Sequence, residues 1–149
     1  MSLIELAVRN VETVEPECTL VEASRRMVKS SVGSLLITDP SGEVLLGIVT
    51  DRDLVVLIAK GADPATETIA SLTRPHLETV RVGEQLQHVT QKMRKHGIRR
   101  LPLLDVEGRL AGIVSMDDVL VLLGREMADI ALAVEGELAH ERATGSSGD

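Results

Sequence analysis

The feature that most constrains this fold is an internal repeat. Gly47-Ile48-Val49-Thr50-Asp51-Arg52-Asp53-Leu54 returns 65 residues later as Gly112-Ile113-Val114-Ser115-Met116-Asp117-Asp118-Val119. Each copy reads as Gly, two β-branched apolar residues, a hydroxyl residue, two variable residues, an Asp and an aliphatic residue. Leu77-Glu78-Thr79-Val80 matches Val11-Glu12-Thr13-Val14 at a shift of 66. Leu86, Val89 and Met93 match Leu20, Ala23 and Met27 at the same shift, and Ile98–Leu103 matches Val32–Ile37. Asp105-Val106-Glu107-Gly108 matches Asp39-Pro40-Ser41-Gly42 with one residue fewer before the following Gly, which takes the shift from 66 to 65. Even the approach segments agree, with Arg9 and Arg74 65 residues apart. A unit this short leaves its apolar face uncovered, so two copies are expected to cover each other about a pseudo-two-fold axis.

Local patterns give each unit the order β-α-β-β-α. Val11–Val14 alternates like a short strand, closed by Pro16. Thr19 caps a helix to about Ser30, with Leu20, Ala23 and Met27 on one face. Strands over Val32–Ile37 and Val44–Val49 flank a turn in which Pro40 presets φ and Gly42 permits positive φ. Thr50 then caps a helix to about Lys60, ended by Gly61. Residues 3–9 have room for one helical turn. The expected class is α+β, two tandem β-α-β-β-α repeats. The boundaries are 1–65 and 66–125, with a C-terminal amphipathic helix over 126–142 and a flexible tail over 143–149. A pause is expected at Gly124. Beyond it Met127, Ile130, Val134 and Leu138 form a helical stripe, packed on its own domain or facing a partner. The helix Leu54-Val55-Val56-Leu57-Ile58-Ala59 is apolar on nearly every side. It needs burial either against another subunit or between the two halves of one chain.

Composition narrows the chemistry. The 149 residues contain no Phe, Tyr or Trp. Leu, Val, Ile and Met must fill the core, and no base can stack on an aromatic ring. The net charge is −7, and residues 125–149 carry −4 of it, two basic against six acidic groups. An acidic total without aromatics makes nucleic acid an unexpected partner, although Lys92, Arg94, Lys95, Arg99 and Arg100 cluster. The single Cys18 excludes an intramolecular disulfide and fits a reducing cytoplasm. No signal-like or membrane-spanning apolar run occurs, so a cytoplasmic chain without a membrane is expected. His76, His88, His96 and His140 show no metal-ligand spacing. No phosphate loop of the Gly-Lys-Ser/Thr type is present, so no metal site, catalytic residue or enzyme activity is expected.

The corners carry two readings. Thr50-x-x-Asp53 and Ser115-x-x-Asp118 are capping boxes, in which hydroxyl and carboxylate satisfy N–H groups of a first helical turn. The same corner attracts phosphate to a helix N-terminus and offers a carboxylate to a ribose cis-diol.

The duplicated Gly-x-x-Thr/Ser-x-x-Asp corner, the 65-residue repeat and Ile98-Arg99-Arg100-Leu101-Pro102-Leu103-Leu104-Asp105 together resemble a pair of CBS domains, a Bateman module, over roughly residues 4–125. The resemblance implies a stand-alone regulatory module that binds an adenine nucleotide (AMP, ADP or ATP) in clefts between the repeats and signals to a partner protein. Its alternatives are S-adenosylmethionine as ligand, or a structural, dimerising module whose corners only cap helices. No cofactor is required. Residue by residue, Asp53 and Asp118 would hold ribose hydroxyls, and Thr50 and Ser115 the sugar or phosphate. The strands at Thr13-Val14 and Thr79-Val80 would offer backbone groups and apolar surface to adenine. Arg100 occupies the family's phosphate position, and Arg99 is a second candidate. Gly33 and Ser34 stand there in the first repeat, so the clefts should be unequal, with the tighter site at Arg100 and Asp118. The resemblance also implies a homodimer through helices 51–60 and 116–123.

Overall fold

The computed structural model describes Glu5, Ala7 and residues 11–145. The helical turn expected over 3–9 falls largely outside them, as does the end of the expected tail. The described chain holds β1 (Thr13–Val14), α1 (Leu20–Ser30), β2 (Ser34–Thr38), β3 (Leu45–Thr50) and α2 (Asp51–Ala59). A 3-10 turn follows over Ile69–Leu72. The second unit holds β4 (Val80–Arg81), α3 (Leu86–His96), β5 (Arg100–Leu104), β6 (Leu110–Ser115) and α4 (Met116–Gly145). This is the mixed α+β class with duplicated units.

Two three-stranded sheets, β1-β2-β3 and β4-β5-β6, share one topology: the first pair is parallel and the second antiparallel. Each hairpin carries an irregularity at the same place, between Ile37 and Thr38 and between Leu103 and Leu104. The missing residue lies in the second turn. Asp39 Oδ1 accepts from the Val44 N–H at 3.1 Å, five residues on, whereas Asp105 Oδ1 accepts from the Arg109 N–H at 2.8 Å, four residues on. The same carboxylate device closes both turns around a one-residue deletion.

The two cores are not segregated by sequence. Val14, Leu20, Ala23, Met27, Leu35, Ile37, Val49 and Leu54 pack together, and Ile69 from the inter-repeat segment joins them. Val80, Val89, Met93, Leu101, Leu103, Val114 and Val119 form the other core, which takes in Ala7 from the N-terminal segment. The segment preceding each repeat therefore packs on the other repeat. Gly47 shows why this needs a glycine: a Cβ there would lie 2.8 Å from the Leu72 carbonyl oxygen. The crossing segment is tied down by the Arg74 N–H, which donates to the Leu46 carbonyl at 3.0 Å.

Three expectations change. The helix after Ser115 does not pause at Gly124 but runs unbroken to Gly145, so 126–142 is not a separate helix and 143–145 are helical. A glycine weakens a helix without removing a hydrogen bond, so it does not stop one by itself. The strand expected over Leu77–Val80 begins only at Val80 and leaves Thr79 just outside it. In α2 only Leu54 is buried, while Val55, Val56 and Ile58 stay exposed, so the two halves of the chain do not enclose this helix.

Candidate functional site

Both corners are built as capping boxes. The Thr50 N–H and hydroxyl donate to Asp53 Oδ2 at 2.8 and 2.9 Å, and the Asp53 N–H returns a bond to Thr50 Oγ1 at 3.2 Å. The Ser115 N–H and hydroxyl donate to Asp118 Oδ2 at 3.2 and 2.5 Å, and the Asp118 N–H donates to Ser115 Oγ at 3.1 Å. Among the described residues neither Oδ1 accepts a hydrogen bond. Capping uses one carboxylate oxygen and leaves the other for a further donor, so the two readings of the motif are chemically compatible.

A cavity of about 260 Å³ lies between the repeats. The second repeat lines it with Arg100, Ile113, Ser115, Asp117 and Asp118. The first contributes Val11, Glu12, the stretch Ser31-Val32-Gly33-Ser34, and Leu36. The Arg100 guanidinium extends over Gly33, where an added Cβ would sit 3.4 Å from Nη2 and 3.5 Å from Asp51 Oδ2. Among the described residues Arg100 makes no ion pair, so its donors are available to an anion. Arg99 pairs with Asp117 at 3.1 Å on the surface instead. The Asp117 carboxylate that lines the cavity is thus partly neutralised.

Three residues of the motif reading, Arg100, Ser115 and Asp118, meet in this cavity. Thr50 and Asp53 lie outside it, at the other corner. Thr13, Val14, Thr79 and Val80 do not line it either. Val14 and Val80 are buried in the two cores, which turns their side chains away from any ligand. The Thr13 carbonyl accepts from Arg26 Nη1 at 3.3 Å, and the Thr79 carbonyl accepts from Lys92 Nζ at 2.8 Å. Arg26 and Lys92 are themselves 66 residues apart, so both repeats clamp the same strand end with a helix cation. Lys92 also pairs with Glu84 at 3.1 Å. Burial works against the Glu84 carboxylate, but the Arg81 N–H and Lys92 outweigh it and hold the carboxyl below its ordinary range. The basic cluster is thereby divided: Lys92 serves a strand end, Arg99 serves Asp117, and Arg100 serves the cavity.

The motif reading missed Glu12, Val32, Ser34 and Asp117. Asp117 was visible as the residue beside the second corner. The others belong to the opposite repeat, and nothing in a linear motif pairs them with Asp118. Burial raises the Cys18 thiol above its ordinary value, with Glu22 adding to the shift, so it is not a ready thiolate. Among the described residues no group of three His, Cys, Asp or Glu could hold a metal ion, and no helix is long and apolar enough to cross a membrane.

The CBS domain model matches residues 3–60 and again 69–125. The chain belongs to the CBS domain family. It is 34% identical over 124 residues to the CBS domain-containing protein YhcV of Bacillus subtilis, covering 82% of this chain and 86% of that one. An uncharacterised protein of Methanopyrus kandleri is 35% identical over 121 residues, 80% of this chain and 61% of the relative. The chain thus spans less than two thirds of that protein's length. Among solved structures, the CBS domain pair of protein MJ0100, in complex with 5-methylthioadenosine and S-adenosyl-L-methionine, is 26% identical, with a TM-score of 0.73 over 85% of this chain and 98% of that one. The cytosolic domain of the Mg2+ channel MgtE, in complex with ATP, is 29% identical, with a TM-score of 0.66 over 78% of this chain and 46% of that one. Hypoxic Response Protein I, with two coordinated zinc ions, is 30% identical, with a TM-score of 0.72 over 80% of this chain and 97% of that one. Two of these similar chains therefore hold ligands that share an adenosine.

Proposed function

We propose that this chain is a regulatory module that binds an adenine nucleotide in the cleft between its repeats and passes the bound state to a partner protein. One observation carries the proposal: Arg100, Ser115 and Asp118 of the second repeat face Ser31–Ser34 of the first across one cavity. Asp118 Oδ1 accepts from the ribose hydroxyls. Ser115 stands beside the sugar, and Arg100 forms charge-assisted bonds to phosphate. With no aromatic residue available, Val11, Val32 and Ile113 flank the base. A ligand touching both repeats binds their two arrangements unequally and so shifts their balance.

Charge narrows the ligand. Glu12, Asp117 and Asp118 line the cavity against Arg100 alone, with Arg99 neutralising Asp117 from outside. One guanidinium matches one phosphate, so AMP fits the balance better than ATP, whose extra charge meets carboxylates. S-adenosylmethionine, with its positive sulfonium, is the competing ligand on the same ground. Homodimerisation through 51–60 and 116–123 belongs to the proposal: Val55, Ile58, Leu120 and Leu123 are exposed on these helices. Thermal unfolding with each ligand at millimolar concentration tests the assignment. A binder rises in stability by RT ln(1 + [L]/Kd), with AMP acting at lower concentration than ATP. No shift with any adenosyl ligand would leave helix capping as the corners' whole role.

A further inference from the structure

The second half of α4 is a helix without a fold around it. From Leu123 to Gly145 every residue is exposed. Leu120, Leu123, Met127, Ile130, Val134 and Leu138 are 44–72% exposed, at spacings of three and four. They form one continuous stripe about 27 Å long, at a rise of 1.5 Å per residue. Val119 and Leu122, the helix residues buried in the body, lie on a neighbouring face, so the stripe starts beside the domain and leaves it. A solitary helix is marginal in water, and Gly124 and Gly136 weaken this one further. A stripe of this kind is a seam awaiting a second helix.

We infer that the occupant is α4 of a second copy of this chain, packed antiparallel about Ala128 and Asp129. The choice rests on register and charge. In that register Met127 meets Ile130 of the second copy, and Leu123 meets Val134 of the second copy. Each contact occurs twice, as an isologous pair requires. Beside the seam, Gly124 faces Ala131 of the second copy, and Glu126 faces Ala133 of the second copy. No like charges are opposed, and the small residues allow close approach. Arg125, Asp129 and Glu135 point away into solvent. A parallel pair instead places Glu137 against its own copy inside the seam, which opposes two carboxylates. Antiparallel packing sets each Glu137 beside Leu120 of the second copy, at the end of the contact. It also brings the far end of each stripe over the exposed start of the other.

The test uses the full chain. Sedimentation should give a dimer, and Met127→Glu with Ile130→Glu should weaken it at least tenfold without lowering the thermal midpoint of the body, because both side chains project from the body into solvent. A paired Val55→Glu variant reports separately on contact through α2. A spin label on Arg142→Cys in a Cys18→Ser background should give a distance of about 40 Å between copies. A parallel pair gives less than about 20 Å, since packed helix axes lie 8–10 Å apart. A monomeric wild-type chain, a dimer indifferent to the double substitution, or the short distance would each overturn the inference.

Discussion

Asp118 caps α4 with one carboxylate oxygen and keeps the other uncommitted: Oδ2 accepts from the Ser115 N–H at 3.2 Å and from its hydroxyl at 2.5 Å. A substitution here therefore removes two separable things. Asp118→Ala should lose about 1 kcal/mol of folding stability with the cap. It should also lose about 2 kcal/mol of nucleotide affinity, near thirtyfold, with the ribose acceptor. Asp53→Ala removes the equivalent cap and should cost similar stability while leaving affinity in the Arg100 cleft intact. Calorimetry beside urea unfolding separates them. Equal losses of affinity in the two variants would show that neither carboxylate touches ligand.

Neighbouring arginines should behave differently. Arg100 faces the cavity without an ion pair among the described residues, whereas Arg99 pairs with Asp117 on the surface, where both side chains are mostly exposed. Arg100→Ala should weaken AMP binding by about 1.5–3 kcal/mol, the usual range for a bond to a charged group. Arg99→Ala should change binding and stability by less than about 1 kcal/mol. Adenosine, which lacks phosphate, should bind both variants like the parent. A loss with adenosine would place Arg100 on the nucleoside instead.

Two glycines offer opposite outcomes. Gly47→Ala drives a Cβ to within 2.8 Å of the Leu72 carbonyl and should destabilise the chain by about 1–3 kcal/mol through overpacking. A Cβ added at Gly124 meets nothing within 4 Å, so Gly124→Ala should raise stability by up to about 1 kcal/mol through helix propensity. Chemical denaturation of the two variants checks both signs.

Acid should loosen the fold through its turns and caps. The Thr19 N–H lowers the Glu22 carboxyl, the Ser41 hydroxyl lowers Asp39, and the Arg109 N–H lowers Asp105. Glu84 is also lowered, because its hydrogen bonds outweigh burial. A carboxyl depressed in the folded state contributes stability that is complete above the unfolded pKa. That contribution disappears as pH falls through the folded value. The unfolding midpoint should thus hold from neutral pH to about pH 5 and drop below about pH 4. Asp105→Asn should flatten part of that drop. An unchanged pH profile would show that the turn bonds persist when protonated.

Much of the architecture was legible because it is written in short range. Thr19, Thr50 and Ser115 cap helices through residues three positions away. Asp39 and Asp105 close turns through residues five and four away. Such bonds depend on sequence neighbours alone, and the 65-residue shift exposed their duplication. Gly124 was less legible, since a helix crosses an isolated glycine when the surrounding residues favour it.

The sequence by itself determined the repeated unit, its caps and turns, and the inequality between Arg100 and its counterpart Ser34. Tertiary structure decided which segments meet. It placed Ala7 in the second core and Ile69 in the first, and it withdrew Val14 and Val80 into those cores. It set Ser31–Ser34 opposite Asp118. The physical reason is that burial rewards contact between apolar faces wherever they lie along the chain, and no local period records which face covers which.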